Sequence, residues 1–307
     1  MKQGEPLTFR YSAYGLEVES AFAMPELGAA RAGSGASPDV TIRIGPLPAI
    51  DKSSWTRLGP FSWAADGSYW LEVRGLLRLL VRNGQEIIIE PAPGVDEDGM
   101  RVFALGAGFG ALLFQRGYLV LHGNAIRIGE RCLMCIGPSG AGKSTVSAMF
   151  LQRGYQVLAD DVVPVDMQGR AMPGFPRIKL WQDAAEHLAL ETKGLRRVRP
   201  MVEKFNLPVA QPYDGPPLPV SWVYILDTER KPEITLEAVR GMQRLKPLWE
   251  NTYCMPLIGS SAAKSDHLKQ CSKLAMGIHL SRISRPAGGF SAGEMVDRML
   301  ADMAENP

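Results

Sequence analysis

Apolar and polar residues alternate with a period of two through Leu7–Tyr14 and Val40–Ile44. That period predicts strands with one buried face. Trp63, Tyr69–Val73, Leu76–Arg82 and Glu86–Glu90 continue the pattern. Asp66-Gly67 and Asn83-Gly84 stand between apolar runs, and such pairs favour tight hairpin turns because those turns need positive φ. Gly28–Pro38 reads as a loop. Residues 1–95 are therefore expected to form a mostly antiparallel β domain. It holds no chemical cluster, and serves as a structural, oligomerisation or substrate-recognition module.

The pattern changes at Pro91–Gly99, which reads as the boundary to a second domain, 96–307. Asp96, Glu97 and Asp98 suit the first turn of a helix, whose dipole favours negative charge there. That helix is expected to run to about Arg116. Its apolar stretch Val102–Phe114 is too short to span a bilayer, so it is expected to be buried in protein. A strand follows at Tyr118–Leu121, ending at His122-Gly123, and Asn124–Ile128 is expected to pair next to it. Cys132–Ile136 is apolar throughout, as in a strand covered on both faces. Ser144–Arg153 reads as a helix closed by Gly154. Tyr155–Ala159 reads as a strand delivering Asp160 and Asp161. Further on, Val220–Leu226 and Gly277–Ile283 read as strands. Leu245–Asn251, His267–Met276 and Ser291–Met303 read as helices. The fold expected is α/β.

Between the apolar strand and its helix lies Gly137-Pro138-Ser139-Gly140-Ala141-Gly142-Lys143-Ser144, a full match to G-x-x-x-x-G-K-[ST]. In such a P-loop the backbone N–H groups of Ser139 to Lys143 cradle phosphates, aided by the helix N-terminus. Gly137, Ser139, Gly140, Ala141, Gly142, Lys143, Ser144 and Thr145 are the candidate nucleotide-binding residues. Lys143 is placed to reach the β and γ phosphates, and the Ser144 hydroxyl to ligate Mg²⁺. If the strands either side of the helix lie parallel in one sheet, the loop and the Asp160–Asp161 pair meet at one edge, where α/β sheets bind ligands. One carboxylate on Mg²⁺ and one on an acceptor hydroxyl would complete a phosphoryl-transfer site. Asp161 is the candidate metal ligand with Ser144, and Asp160 the candidate base, with exchange of roles left open. Arg177 and Lys179, two residues apart on an extended segment, point the same way. They are candidates for stabilising charge on the transferring group. Lys193–Arg199 is a basic run, read either as a solvated face or as a mobile loop over phosphates or an acidic peptide, with Lys204 nearby. One of Arg282 and Arg285, after the late strand, is a candidate to meet a nucleotide.

Composition narrows the classes. The 307-residue chain is 46% hydrophobic and 21% charged, with formal net charge +2. It can bury a core, and its balance argues against nucleic acid as a partner. Four cysteines in this length make no disulfide framework. Cys132 and Cys135 are three apart, so on a strand they face opposite sides, and Cys254 and Cys271 add no second pair at zinc spacing. Met1–Arg10 lacks an apolar signal segment. A cytoplasmic protein with no membrane partner is expected.

The residues His122-Gly123, Gly137 to Ser144 and Ala159-Asp160-Asp161 follow the order and spacing of the C-terminal catalytic domain of HPr serine kinases, which this stretch resembles over about Leu119–Asp166. The phosphoenolpyruvate carboxykinases with a P-loop look more distant. Phe175–Trp181 further resembles a subgroup of HPr kinase-like proteins found with lasso-peptide biosynthesis, whose members phosphorylate the C-terminal serine of a precursor peptide. The resemblance implies ATP and Mg²⁺, a site role for His122 near the phosphates, and an acceptor serine on a peptide or small protein. HPr kinases are hexamers, so a homo-oligomer is among the implied assemblies, although residues 1–95 show no likeness to their N-terminal domain. The alternatives are an HPr carrier-protein kinase/phosphorylase, a small-metabolite kinase or carboxykinase-like enzyme, and an ATP-gated binding module that transfers nothing.

Overall fold

A computed structural model of the chain describes residues 8–30, 37–65, 67–199, 202–229, 232–253 and 261–307. Residues 31–36 of the expected loop, Asp66 of the first hairpin, Cys254 and residues 1–7 lie outside these. The chain divides into two units, Met1–Tyr118 with Cys254–Asp266, and Leu119–Tyr253 with His267–Pro307.

The first unit holds a sheet of β1 (Phe9–Ala13), β2 (Leu16–Ser20), β3 (Gly28–Ala29), β4 (Val40–Ile44), β5 (Thr56–Gly59), β6 (Ser62–Ala65), β7 (Ser68–Val73), β8 (Leu77–Arg82) and β9 (Glu86–Pro91). Their spatial order is β3-β1-β2-β4-β9-β8-β7-β6-β5. Pairing is antiparallel except at β2–β4 and β4–β9. Asn83 and Gly84 both take positive φ and turn β8 into β9. Trp70 is buried with Leu47 and Leu80 on one side.

The helix expected to open the second domain clusters instead with the first unit. It comprises α1 (Glu97–Phe103), a wider π-helical turn at Ala104–Gly108, and α2 (Phe109–Gln115). Asp96 caps α1, its carboxylate accepting from Gly99 N at 2.8 Å. Gln115 closes the far end against the sheet, accepting from Gly84 N and donating to Val81 O. Apolar residues on every side of the helix made it look like core, but nothing in that pattern told which core.

In the second unit β10 (Leu119–Leu121), β11 (Gly123–Ile128) and β12 (Arg131–Ile136) are followed by α3 (Lys143–Gln152), then β13 (Val157–Asp160), β14 (Val163–Val165) and β15 (Arg170–Ala171). Next come β16 (Arg177–Trp181), α4 (Gln182–His187), β17 (Arg197–Arg199), β18 (Val202–Pro208), β19 (Leu218–Glu229) and β20 (Thr235–Ala238). The chain ends with α5 (Leu245–Glu250), α6 (Ser261–Gly277), β21 (His279–Pro286) and α7 (Ala292–Glu305). β12, β19 and β21 are parallel neighbours. β12 and β13 run in the same direction but are not neighbours. β11 lies between them, antiparallel to both. This corrects the simpler picture of a βαβ unit with adjacent strands. The expected shared edge survives, because β11 enters the sheet at Gly123, beside the C-terminal ends of β12 and β13.

Both faces of this sheet are covered. Leu133, Cys135, Tyr224 and Leu226 face one core with Val146, Phe150 and Met299. Cys132, Met134, Val223 and Ile225 face the other with Leu248, Cys271 and Leu274. The two cysteines of C-x-x-C thus belong to opposite cores, as the strand period requires. Both are free and buried, and burial pushes each thiol well up from its ordinary value. Among the described residues no helix is long and apolar enough to cross a membrane.

Candidate functional site

Gly137 leaves β12 with φ +143, and a Cβ there would stand 2.4 Å from Leu226 O on the neighbouring strand. Only glycine meets both demands, so the loop starts tight against the sheet. Its N–H donates to Asn251 Oδ1 at 2.8 Å, and His122 N donates to Asn251 O at 2.7 Å. Asn251, just past α5, therefore holds the loop and the histidine together. At the other end, Asn124 on β11 is fully buried and spans two elements. It donates to Lys143 O at the start of α3 and accepts from Cys135 N on β12 at 3.2 Å. Neither asparagine stood out in the sequence, because each acts through backbone partners distant along the chain.

Lys143 is buried and folds back over its own loop, Nζ donating to Gly137 O at 2.7 Å and Pro138 O at 3.0 Å. Burial, opposed by the nearby aspartates, pulls its ammonium below the ordinary value. Among the described residues its hydrogen bonds go to neutral carbonyls, which a stronger, anionic partner can displace.

The two aspartates take different environments. Asp160 ends β13 and is buried. Its oxygens accept from Ser144 Oγ at 3.1 and 3.3 Å, and Oδ2 also accepts from Lys179 N at 2.8 Å. Burial pushes its carboxyl up to about 6, more than the backbone bond from Lys179 pulls it down. Asp161 takes φ +76, which swings the chain out of the strand and brings the second acid to the same cavity. For a residue other than glycine that conformation costs of order 1–3 kcal/mol and is typical of functional sites. Its Oδ2 meets Lys179 Nζ at 2.5 Å, and its main-chain carbonyl meets His122 Nδ1 at 3.0 Å. Burial raises Asp161, but the Lys179 ammonium outweighs it and holds the carboxyl below the usual range. Burial and the Lys143 charge together keep His122 below its ordinary value.

The partner of Ser144 is thus Asp160, the second of the two role assignments that the sequence leaves open. Lys179 joins the site through Asp161. Arg177 does not converge with it: the guanidinium is buried, bonds Asn206 Oδ1 at 3.0 Å and lies over Phe175. Asn206, which stands opposite Lys179 in the β16–β18 register, holds Arg177 diagonally from two residues along. Of the basic run Lys193–Arg199, Arg197–Arg199 form β17, paired to β18, and none of its described residues lines the cavity shared by Lys143 and the two acids. Of the two late arginines, Arg282 pairs with Asp227 at 2.7 Å, whereas Arg285 reaches Gly140 O and Ala141 O at 3.4 and 3.5 Å.

A cavity of about 840 Å³ joins these groups. Its wall includes His122, Lys143, Ser144, Asp160, Asp161 and Arg285. That volume suits a nucleotide-sized ligand. Lys204 also lines it, its Nζ 5.6 Å from the Trp181 ring. His187 and Phe290 in this wall have no signal in the sequence, and Lys204 and Trp181 stand out there only as neighbours of the basic run and of Lys179, because β16, α4, β18 and the start of α7 meet only in three dimensions.

No protein-family model matches the chain, and no curated protein matches it. Among solved structures it is similar to the Hpr(Ser) kinase/phosphatase from Coxiella burnetii, at 12% identity over 61% of this chain and 97% of that one, with a TM-score of 0.28.

Proposed function

We propose that the second unit is an ATP-dependent phosphotransferase that moves the γ-phosphoryl group to a serine hydroxyl on a peptide or small protein. The observation that carries this reading is the convergence of Ser144 on Asp160, at 3.1 Å, directly beside the loop that Lys143 closes. A hydroxyl and a carboxylate so paired fit Mg²⁺, which takes one or two protein ligands and completes its shell with phosphate oxygens and water. Held by Ser144 and Asp160, such an ion would supply charge neutralisation for the phosphates.

Each residue then has a task. Loop amides and Lys143 hold the triphosphate, and Lys143 exchanges two carbonyls for phosphate oxygens. Arg285, over Gly140 and Ala141, adds a second cation. The acceptor Oγ attacks the γ-phosphorus, the bond to the β-phosphate bridging oxygen breaks, and ADP leaves. Asp161 orients the acceptor hydroxyl and takes its proton as the bond forms. A carboxylate kept ionised by Lys179 is a weak base, which suffices because such transition states need positioning more than proton abstraction. His122 fixes Asp161 through its carbonyl. This exchanges the roles first given to the two acids. The finer reading, a lasso-peptide precursor with a C-terminal serine, draws on the likeness of Phe175–Trp181 alone.

The test compares Asp160→Asn with Asp161→Asn, using labelled ATP and a panel of serine peptides, carrier protein and serine-containing metabolites. Asp160→Asn is expected to lose Mg²⁺-dependent nucleotide binding. Asp161→Asn is expected to keep Mg²⁺-ATP affinity within a few-fold and to lose transfer by at least about 10³. If label never leaves ATP with the wild type, an ATP-gated binding module replaces the kinase.

A further inference from the structure

Phe290 and His187 lie in the cavity wall, and the phosphate chemistry above gives them no task. Their rings stack, with centroids 4.9 Å apart and planes inclined by 13°. His187 closes α4, and its Nδ1 meets Asp183 O at 2.7 Å, which fixes the ring plane. Phe290 precedes α7 and is 39% exposed, so one side of the stack is open. An exposed aromatic against an ordered imidazole is a surface on which a further planar ring can lie.

Position says which ring. Both elements flank α3: Gln152 Nε2 donates to Leu188 O just past α4, and Arg153 donates to Gly293 O in α7. In a phosphate loop the lysine takes the β and γ phosphates, and the α and β phosphates lie on the backbone N–H groups of the loop. The nucleoside then leaves along the flank of α3, on the side of Thr145 and Val146, which also line the cavity. Phe290 lines the same cavity. A second feature points the same way. Ser291 and Glu294 have the order of a helix-capping pair, yet the serine makes no capping bond. Its Oγ is buried without a hydrogen-bond partner among the described residues. A buried hydroxyl left unpaired at a cavity wall is what a polar ligand edge would satisfy.

We propose that the Phe290–His187 stack is the nucleobase platform of this site, with the base lying on Phe290 and Ser291 free to bond the nucleoside. The stack makes the site a nucleoside triphosphate site and not a general polyphosphate one. This rests on the phosphate-binding role of the loop, and the test separates the two.

Binding of Mg²⁺-ATP and Mg²⁺-tripolyphosphate is measured by calorimetry for the wild type, Phe290→Ala and Phe290→Trp, after thermal melts show each variant folded. Base–aromatic stacks support a loss of about tenfold or more on truncation. Phe290→Ala is expected to weaken ATP about tenfold and leave tripolyphosphate within twofold, and Phe290→Trp to keep ATP near wild type. An unchanged ATP affinity in Phe290→Ala, or equal weakening of both ligands, overturns the platform while the phosphate site stands. A wild type that binds neither ligand overturns both.

Discussion

The two large sheets of this protein are built in different ways. In the first unit strands mostly pair with their neighbours in sequence, and the register passes through short turns such as Asn83-Gly84. In the second, β12 lies between β11 and β19, and β19 between β12 and β21. The first sheet keeps its charges as ordinary exposed pairs, such as Lys52 with Glu72 and Arg10 with Glu19, which contribute little each. The second unit buries Lys143 on α3, Asp160 on β13 and Arg177 on β16, which belongs to a separate three-stranded sheet, whereas the first buries Arg101 on α1. Bringing distant segments to one edge costs chain entropy and slows folding. It also creates a place where a loop, two acids and three cations share one cavity. The polar pocket of the first sheet, lined by Asp39, Arg43, Arg82, Glu86 and Arg116, has no such phosphate loop.

The sharpest way to break this contrast is a single methyl group at Gly137. Its Cβ would collide with Leu226 O across the β12–β19 pair, at a φ that other residues avoid. Backbone cannot yield as a side-chain tip can, so Gly137→Ala is expected to destabilise the second unit by about 3–5 kcal/mol and to abolish ATP binding. Hydrogen exchange resolved by peptide should show lost protection in β12 and β19 and unchanged protection in β7 to β9. Wild-type protection in β12 would refute the collision.

A smaller effect sharpens the electrostatic side. Asp160 has its carboxyl pushed from 3.8 up to about 6, chiefly by burial. Between those values the folded chain holds a proton that the unfolded chain has released. Stability from this group therefore falls as pH rises from about 4 to 6 and stays lower above. The gap of about two pKa units corresponds to about 2–3 kcal/mol. Asp160→Asn should then match the wild type in urea denaturation at pH 4 and exceed it by up to that amount at pH 8. A variant less stable at pH 8 would show that the carboxylate is held by partners stronger than its burial. The same proton competes with Mg²⁺, so wild-type affinity for Mg²⁺-ATP should drop about tenfold per pH unit below 6.

The readability of the chain follows the same division. Strands β7 to β9 and the helix α3 were visible because their signals are local: alternation, an Asn-Gly turn, a glycine-rich loop between an apolar run and a helix. The acids were found because they follow that loop closely. Their partners were not assignable. Ser144 meets Asp160 because β13 ends there, and Asp161 turns away on a left-handed φ that no sequence pattern marked. Arg177 and Lys179 share a strand face, but their different partners, Asn206 and Asp161, depend on β18 and β13. Asn124, Asn251 and Phe290 act through contacts made across long separations, which a reading along the chain cannot join, and the same separation left the choice between Arg282 and Arg285 open.

The smallest effect is the counterpart of Gly137→Ala in the first sheet. Gly84 also has positive φ, +63, and a Cβ there would stand 2.6 Å from Arg116 Cγ. That neighbour is a point on a flexible side chain, not a strand backbone. Arg116 donates to Gly84 O, and a change of its χ1 rotamer relieves the clash at the expense of that bond. What remains is the left-handed conformation imposed on alanine, about 1–2 kcal/mol. Gly84→Ala is therefore expected to loosen the β8–β9 turn, lower protection of Ile87 and Val81 amides modestly, and leave ATP affinity within twofold. A loss of nucleotide binding comparable to that of Gly137→Ala would mean that the hairpin sheet contributes to the site, and would end the separation of roles on which the comparison stands.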